Sequence, residues 1–241
     1  GSVELEMELT IRFDYGSIVP WVQRTGPRSF HAIGGPDALE FVSPVPIDNR
    51  DLRTRAKFTI RPGERLPFLL AWHPSHRVVR HEVKDPRGAL ERTVRTWETW
   101  ASRCTVTGEG RERMMRSLLC LKALTYQPTG AIAAAVTTSL PELIGGSRNW
   151  DYRYTWIRDS TFALWGLYTL GFDWEANDYL YFIAEVAERY DQLPIMTALD
   201  GGPVPEEQIL DHLSGYEGAR PVRIGNGAFG QRQHDVWGAV L

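Results

Sequence analysis

Val3, Leu5, Met7, Leu9, Ile11 and Phe13 alternate with Glu4, Glu6, Glu8, Thr10, Arg12 and Asp14. Period two with one charged face predicts an antiparallel strand packed on one side only. Shorter strand-like runs follow at 18–23, 29–33, 39–42, 56–60 and 66–72. Gly-Pro, Pro-Asp and Pro-Gly breaks separate them. Short strands at this spacing predict a β-sandwich or a large part of one.

The period changes near Pro86. The charged run 89–102 carries Trp97 and Trp100 one helical turn apart and predicts a linking helix with a docking stripe. Residues 111–126 predict a second helix through Met114, Met115, Leu118, Leu119 and Leu121. The run 160–170 is apolar nearly all round (Phe162, Leu164, Trp165, Leu167, Tyr168, Leu170), the pattern of a helix buried on all sides. The run 174–190 is amphipathic, with Ala176, Tyr179, Leu180, Ile183, Val186 and Ala187 on one face. Helices are also expected over 206–214 and 226–241. An all-apolar helix followed by an amphipathic one is the alternation of concentric helices in a toroid. The expected class is therefore β + α: an N-terminal antiparallel β-sandwich portion (1–85), a linker helix region (86–110) and the first helices of a toroid of concentric helices (111–241). The last helix runs to Leu241 without Gly, Pro or a cap, and Gly1-Ser2 reads as a processing remnant, so the chain is expected to be cut at both ends.

Composition narrows the function. A formal net charge of −3 and the lack of a dense Lys/Arg run argue against nucleic acid as a partner. No apolar run is long enough to span a membrane. The two cysteines, Cys104 and Cys120, lie in no metal-ligand spacing, and a disulfide between them has little support. His73-x-x-His76 is read as two solvated side chains in a loop after a strand rather than as a ligand pair, and no metal and no cofactor are expected. A cytoplasmic location is expected, and a homo-oligomer is left open. Nine tryptophans favour a ligand site.

That site is sought in residues 145–159, where four aromatics, three arginines and two aspartates follow a Gly-Gly break. Flat rings cover the C–H faces of a sugar, while Arg and Asp take its hydroxyls with charge-assisted hydrogen bonds. Tyr152, Tyr154 and Trp156 alternate, which in an extended segment places them on one side as an aromatic wall. Arg158 and Asp159 then open the apolar helix. Two readings compete: Asp159 caps the helix with Arg158 beside it on the surface, or both project into a pocket.

The run resembles glycoside hydrolase family 15, which holds glucoamylases, glucodextranases and bacterial trehalases. The resemblance extends along the chain. It includes Arg12-Phe13-Asp14-Tyr15-Gly16, Leu121-Lys122-Ala123-Leu124-Thr125-Tyr126, Pro128-Thr129-Gly130-Ala131-Ile132-Ala133-Ala134 and Thr137-Thr138-Ser139-Leu140-Pro141-Glu142. It continues through Gly215-Tyr216, Pro221-Val222-Arg223-Ile224-Gly225-Asn226 and 231–238. Ile157-Arg158-Asp159-Ser160 and Gln231-Arg232-Gln233-His234-Asp235 are most similar to the actinobacterial trehalase branch. The resemblance implies a β-sandwich and linker before an (α/α)6 barrel that holds a terminal glucose at the bottom of a funnel. It implies that Trp156, Arg158 and Asp159 grip that glucose, that Tyr152 lies near the reacting carbon, and that Gln233 and Asp235 stand near the rim. Asn149, Trp150 and His234 are further candidates. The implied reaction is exo-acting inverting hydrolysis of trehalose or, second, of an α-glucan end. A non-catalytic carbohydrate-binding module is the alternative.

Inverting hydrolysis needs an acid and a base carboxyl about 6.5–9.5 Å apart. The resemblance implies two glutamates C-terminal to Leu241, so no catalytic residue is expected within this chain and the chain alone is expected to be inactive. Glu142 is read as a structural corner. Glu206 and Glu207 are read as acidic residues at a helix start.

Overall fold

The computed structural model describes residues 1–77, 85–234, 236 and 238. It divides into two compact units, Gly1–Arg95 and Thr96–Leu241.

The first unit is built from two antiparallel sheets. One has the order β1-β6-β5, with β1 Val3–Leu9, β5 Asp48–Arg50 and β6 Arg53–Ile60. The other has the order β2-β3-β4-β7, with β2 Trp21–Gly26, β3 Ser29–Gly34, β4 Asp37–Val42 and β7 Leu69–Pro74. Their apolar faces share one core: Ile11, Phe13, Phe30, Phe41, Ile47 and Ala56, with Met7, Leu9, Leu39 and Phe58 against it. The parity read from 3–13 holds, but burial is graded along it. Val3 and Leu5 are exposed, Met7 and Leu9 are half-buried, and Ile11 and Phe13 are buried. Gly34 is required where β3 passes Phe13, because a Cβ there would collide with the ring. On the polar face of β1, Glu8 pairs with Arg53 at 2.8 Å and Arg55 at 2.9 Å on the neighbouring strand. His73 lies within β7, buried, with its ring edge-on to His31 at 6.3 Å. The loop position expected for it is thereby corrected.

The chain enters its helical part through α1 (Pro86–Ser102) and α2 (Arg111–Leu124). The two-residue strand β8 (Thr155–Trp156) leads into α3 (Ile157–Thr169), followed by α4 (Asp173–Arg189) and β9 (Met196–Thr197). The larger core of the second unit gathers Ile157 and Leu164 of α3, Tyr179, Phe182, Ile183 and Val186 of α4, and Ile132, Tyr154, Ile195 and Met196. A smaller one joins Trp100, Leu118, Leu167 and Phe172, with Trp100 stacked on Phe172 at 4.2 Å.

Helix α3 is not buried on all sides. Ile157, Ser160, Leu164 and Leu167 form its one buried stripe, while Phe162, Trp165 and Tyr168 are 71%, 70% and 63% exposed. Neighbours within the described residues cover that stripe and leave the opposite face to solvent. The buried stripe of α4 is also rotated from the hydropathic one: Glu175, Tyr179, Phe182, Ile183 and Val186 face in, while Leu180 and Ala187 face out. The cause is Glu175. It accepts from Trp100 Nε1 at 2.6 Å and Arg103 Nη2 at 2.8 Å, and pairs with Lys122 Nζ at 3.0 Å. Burial pulls the Glu175 pKa upward, but the Trp100 and Lys122 hydrogen bonds outweigh it and the carboxyl titrates below its usual range.

Residues 206–214 are not helical. β10 (Gln208–Ile209) pairs antiparallel with β11 (Arg223–Ile224), and Leu210 N donates to Val222 O at 2.9 Å. Glu207 answers Arg223 Nε at 3.1 Å instead of a helix terminus. The helix expected from 226 is preceded by a 3₁₀ turn, Gly227–Gly230, capped where the Asn226 side chain accepts from Ala228 N at 3.0 Å. Residues 231–233 are non-helical and 236 and 238 are helical. Trp237 lies outside the described residues. Cys104 and Cys120 are free thiols. Among the described residues no helix is long and apolar enough to cross a membrane.

Candidate functional site

The site is framed by a hydrogen-bonded ribbon. Ala134 N donates to Tyr154 O, Ala135 N to Tyr152 O and Ser139 N to Trp150 O, at 2.9, 2.8 and 3.0 Å. Asp151 pins this ribbon to the 221–226 segment. Its Oδ1 accepts from Arg153 Nε at 2.9 Å, and its Oδ2 from Arg153 Nη2 at 2.7 Å, Tyr154 OH at 3.1 Å and Gly225 N at 3.1 Å. Its carbonyl accepts from Asn226 Nδ2 at 3.0 Å. Gly225 is held at φ +73°, where a Cβ would strike the Glu206 carbonyl, so only glycine brings its N–H to Asp151. Burial raises the Asp151 pKa, and the Arg153 hydrogen bonds more than reverse it, leaving a carboxylate that ionises below its usual range. Tyr154 is pushed up to about 12, first by burial and then by the Asp151 charge.

With the ribbon fixed, the chain passes through β8 into α3. Trp156 is the N-cap residue and makes no side-chain cap bond, and Ile157 N donates to Ile195 O at 3.1 Å. Asp159 is therefore not the capping residue. It lies one residue past Arg158 in the first turn, where its charge suits the helix dipole and its side chain remains exposed.

A cavity of about 330 Å³ opens at this turn, within the size range of small-molecule sites. Tyr152 and Trp156 form one wall, their rings 5.6 Å apart. Leu121 and Leu124 of α2, Ile132, Ala133, Ala134, Asp159, Ser160 and Ala163 complete the lining. Two flat rings beside a carboxylate can stack on a ring of C–H groups and accept from its hydroxyls. A larger hollow, about 440 Å³, lies in the first unit beside Ile11, Val22 and Phe30. In its lining, Arg12 donates to Ile11 O at 2.6 Å and Arg24 to Ile47 O at 3.0 Å, while Asn49 Oδ1 is buried without a hydrogen-bond partner.

Of the residues expected at the site, the cavity brings together Tyr152, Trp156 and Asp159. Tyr154 does not join the wall, because the chain bends at 154 and its hydroxyl turns to Asp151. Arg158 is half-buried in the same helical turn but is not among the lining residues. Asn149 is fully buried, its amide donating to Gly146 O at 3.1 Å and Pro221 O at 3.2 Å. Trp150 lies under the Arg223 guanidinium at 4.6 Å. Gln233 is half-buried and His234 exposed, neither lining the cavity. Asp235 lies outside the described residues. Glu142 pairs with Arg148 at 3.0 Å. Among the described residues no group of three or more metal-ligating side chains occurs. The sequence reading missed Ser160 and the alanines as lining. The small-residue run Ala133-Ala134-Ala135 after the Pro128-Thr129-Gly130 break was the available signal.

The cavity and its aromatic wall lie within the second unit. The chain belongs to the glycosyl hydrolases family 15, whose model matches residues 108–241. A trehalase of Mycolicibacterium smegmatis is 43% identical over 258 aligned positions, covering 100% of this chain and 38% of its own length. A trehalase of Mycobacterium tuberculosis is 43% identical, covering 100% of the chain and 37% of its own length. One of Thermoplasma volcanium is 33% identical, covering 99% and 38%. The chain thus spans well under half the length of these relatives. No solved structure matches it significantly.

Proposed function

We propose that the protein is an inverting, exo-acting α-glucoside hydrolase with trehalose as first substrate and α-glucan ends as second. The observation that carries this is the cavity that Tyr152, Trp156 and Asp159 line together, inside the family-matched region. The relatives named trehalase favour trehalose. Asp159 and Arg158 take adjacent sugar hydroxyls in this reading, with Arg158 turning toward bound sugar and Gln233 and Asp235 nearer the rim. Helices α2 to α4 are read as part of an (α/α)6 toroid, supported by the family and by the packing of α3 on α4. The division into a β part (1–85), a linker (86–110) and barrel helices (111–241) is supported by the unit boundary after Arg95.

Among the described residues the cavity presents one carboxylate, whereas inversion needs two about 6.5–9.5 Å apart. The 241-residue chain is therefore expected to bind sugar without cleaving it, and the acid and base are assigned to parts of the longer protein. The test is a panel of trehalose, maltose and isomaltose on the longer protein, with the released anomer followed by NMR. Release of β-glucose, fastest from trehalose, is the expected result. Binding without hydrolysis would favour a sugar-binding module instead, and turnover by the 241-residue chain would overturn the assignment of the carboxylates.

A further inference from the structure

The hollow of about 440 Å³ in the first unit lies between its two sheets, lined from β1, β6 and β5 on one side and from β2 and β3 on the other. Its position follows from strand register. Leu9, Thr54 and Asn49 are cross-strand partners in β1, β6 and β5, and directly opposed residues share a face. Leu9 packs on the core, so Asn49 stands on the inward face too. On the other sheet Arg24 is the partner of Phe30, and Val22 of Ala32, both core residues. The hollow thus continues the core, with Ile11 and Phe30 as its buried floor, and its volume is in the range of small-molecule sites. Its polar lining is not that of a core. Four arginines share it with a single carboxylate, Asp51. Arg50 and Arg53 are neutralised by Asp48 at 3.0 Å and Glu8 at 2.8 Å. Among the described residues Arg12 and Arg24 meet no carboxylate: Arg12 donates to Ile11 O, and Arg24 to the carbonyls of Gly26, Pro27 and Ile47. Asn49 Oδ1 is buried and, among the described residues, accepts no hydrogen bond. An unpaired buried amide oxygen is costly, and leucine would fill the same space without it. Two guanidiniums without a counter-charge and one unused acceptor, over an apolar floor, match a ligand that carries the complementary groups.

We propose that this hollow binds a small organic anion of the hydroxy-acid class, with its carboxylate on the Arg12 and Arg24 guanidiniums, its hydroxyl donating to Asn49 Oδ1 and its apolar body on Ile11 and Phe30. The site lies wholly within the first unit and stands independently of the sugar-binding reading. The probe is phenyllactate, titrated by calorimetry into the 241-residue chain and into the longer protein. Phenylpropionate, which lacks the hydroxyl, and phenylpropanol, which lacks the charge, are the controls. Saturable binding of phenyllactate to both proteins is the expected result. Phenylpropanol should bind at least about tenfold more weakly, as should phenyllactate to Arg12→Gln or Arg24→Gln, since each change removes charge-assisted hydrogen bonds. Arg24 is exposed, so its variant tests the site without disturbing the fold. Phenyllactate should be preferred over phenylpropionate by about fivefold, and Asn49→Leu should abolish that preference. Should Asn49→Leu fail to fold, Asn49→Ala carries the same comparison. Absence of saturable binding, affinity unchanged in the arginine variants, or alcohol and acids binding alike overturns the proposal. So does a hydroxyl preference that is missing from the wild type or kept without Asn49. Binding to the 241-residue chain but not to the longer protein overturns it as well, because the hollow is then covered by the rest of the polypeptide.

Discussion

Asp151 and Asp159 stand in the same aromatic run and have opposite fates. Asp151 is 1% exposed and surrounded by donors from Arg153, Tyr154 and Gly225. Asp159 is exposed and looks into a cavity. The first carboxylate has its acceptor capacity filled by the protein, and the second is the one that meets a ligand in the proposed reading. Charge in such a run therefore serves two purposes, and the donors supplied by distant segments decide which.

The comparison is broken most severely at Asp151. Each neighbour of its carboxylate is a donor, so an amide at this position sets N–H against N–H or O–H. Asp151→Asn should cost about 3 kcal/mol in denaturant unfolding, at the low end of a broken buried pair, because Arg153 remains 31% exposed. The same change at Asp159 should leave unfolding within about 0.5 kcal/mol, as expected for an exposed side chain. Equal losses at the two positions would erase the distinction.

Acid provides the next test. Both Asp151 and Glu175 ionise below their usual ranges in the folded chain. A depressed folded pKa adds stability above the unfolded value, and that stability is lost as pH falls through the folded one. Circular dichroism should therefore show the helical unit constant down to about pH 4 and weakening below it. Glu175→Gln should flatten that acid limb. A limb unchanged in slope would mean that Glu175 ionises as it does in the unfolded chain.

At Asp159 the effect moves from stability to recognition. Asp159→Asn should weaken trehalose binding about tenfold, or 1.4 kcal/mol, with no change in Tm. Arg158→Lys should behave similarly, because an ammonium cannot reproduce the planar fork. An unfolding defect with normal affinity per folded molecule would instead make this turn a structural helix end.

Where the sequence was legible, one signal decided the outcome. Alternation placed β1, β3 and β4, and apolar spacing placed α1 to α4, within a few residues. Strand β5 was illegible because Asp48–Arg50 is polar and its turn uses Asp51 and Leu52 at φ +51° and +58° rather than Asn-Gly. The α4 stripe was misread because a charged residue, Glu175, faces inward. The helix at 206–214 was misread because Glu207 looked like a helix start, while its partner Arg223 comes from a distant strand. At the site, Tyr152, Trp156 and Asp159 were legible as one aromatic, charged run. The bend that removes Tyr154 was not, since its cause, Asp151, draws on contacts from residues 225 and 226.

The smallest effect on stability is expected on α3, and it sharpens the contrast between its two faces. Leu164 and Leu167 are buried, while Phe162 and Trp165 are 71% and 70% exposed on the same helix. Hydropathy alone treats all four alike. An exposed aromatic contributes little to folding within this chain, because its surface stays in water in the folded and unfolded states. Phe162→Glu and Trp165→Glu should therefore change unfolding by about 0.5 kcal/mol or less, whereas Leu167→Ala should cost about 2–5 kcal/mol. The same exposed rings form an apolar patch that favours association. Sedimentation of the 241-residue chain should show self-association that both glutamate variants reduce. A monomeric wild-type chain would show that the patch is tolerated in water, and a large unfolding defect in either variant would show that the face is covered after all.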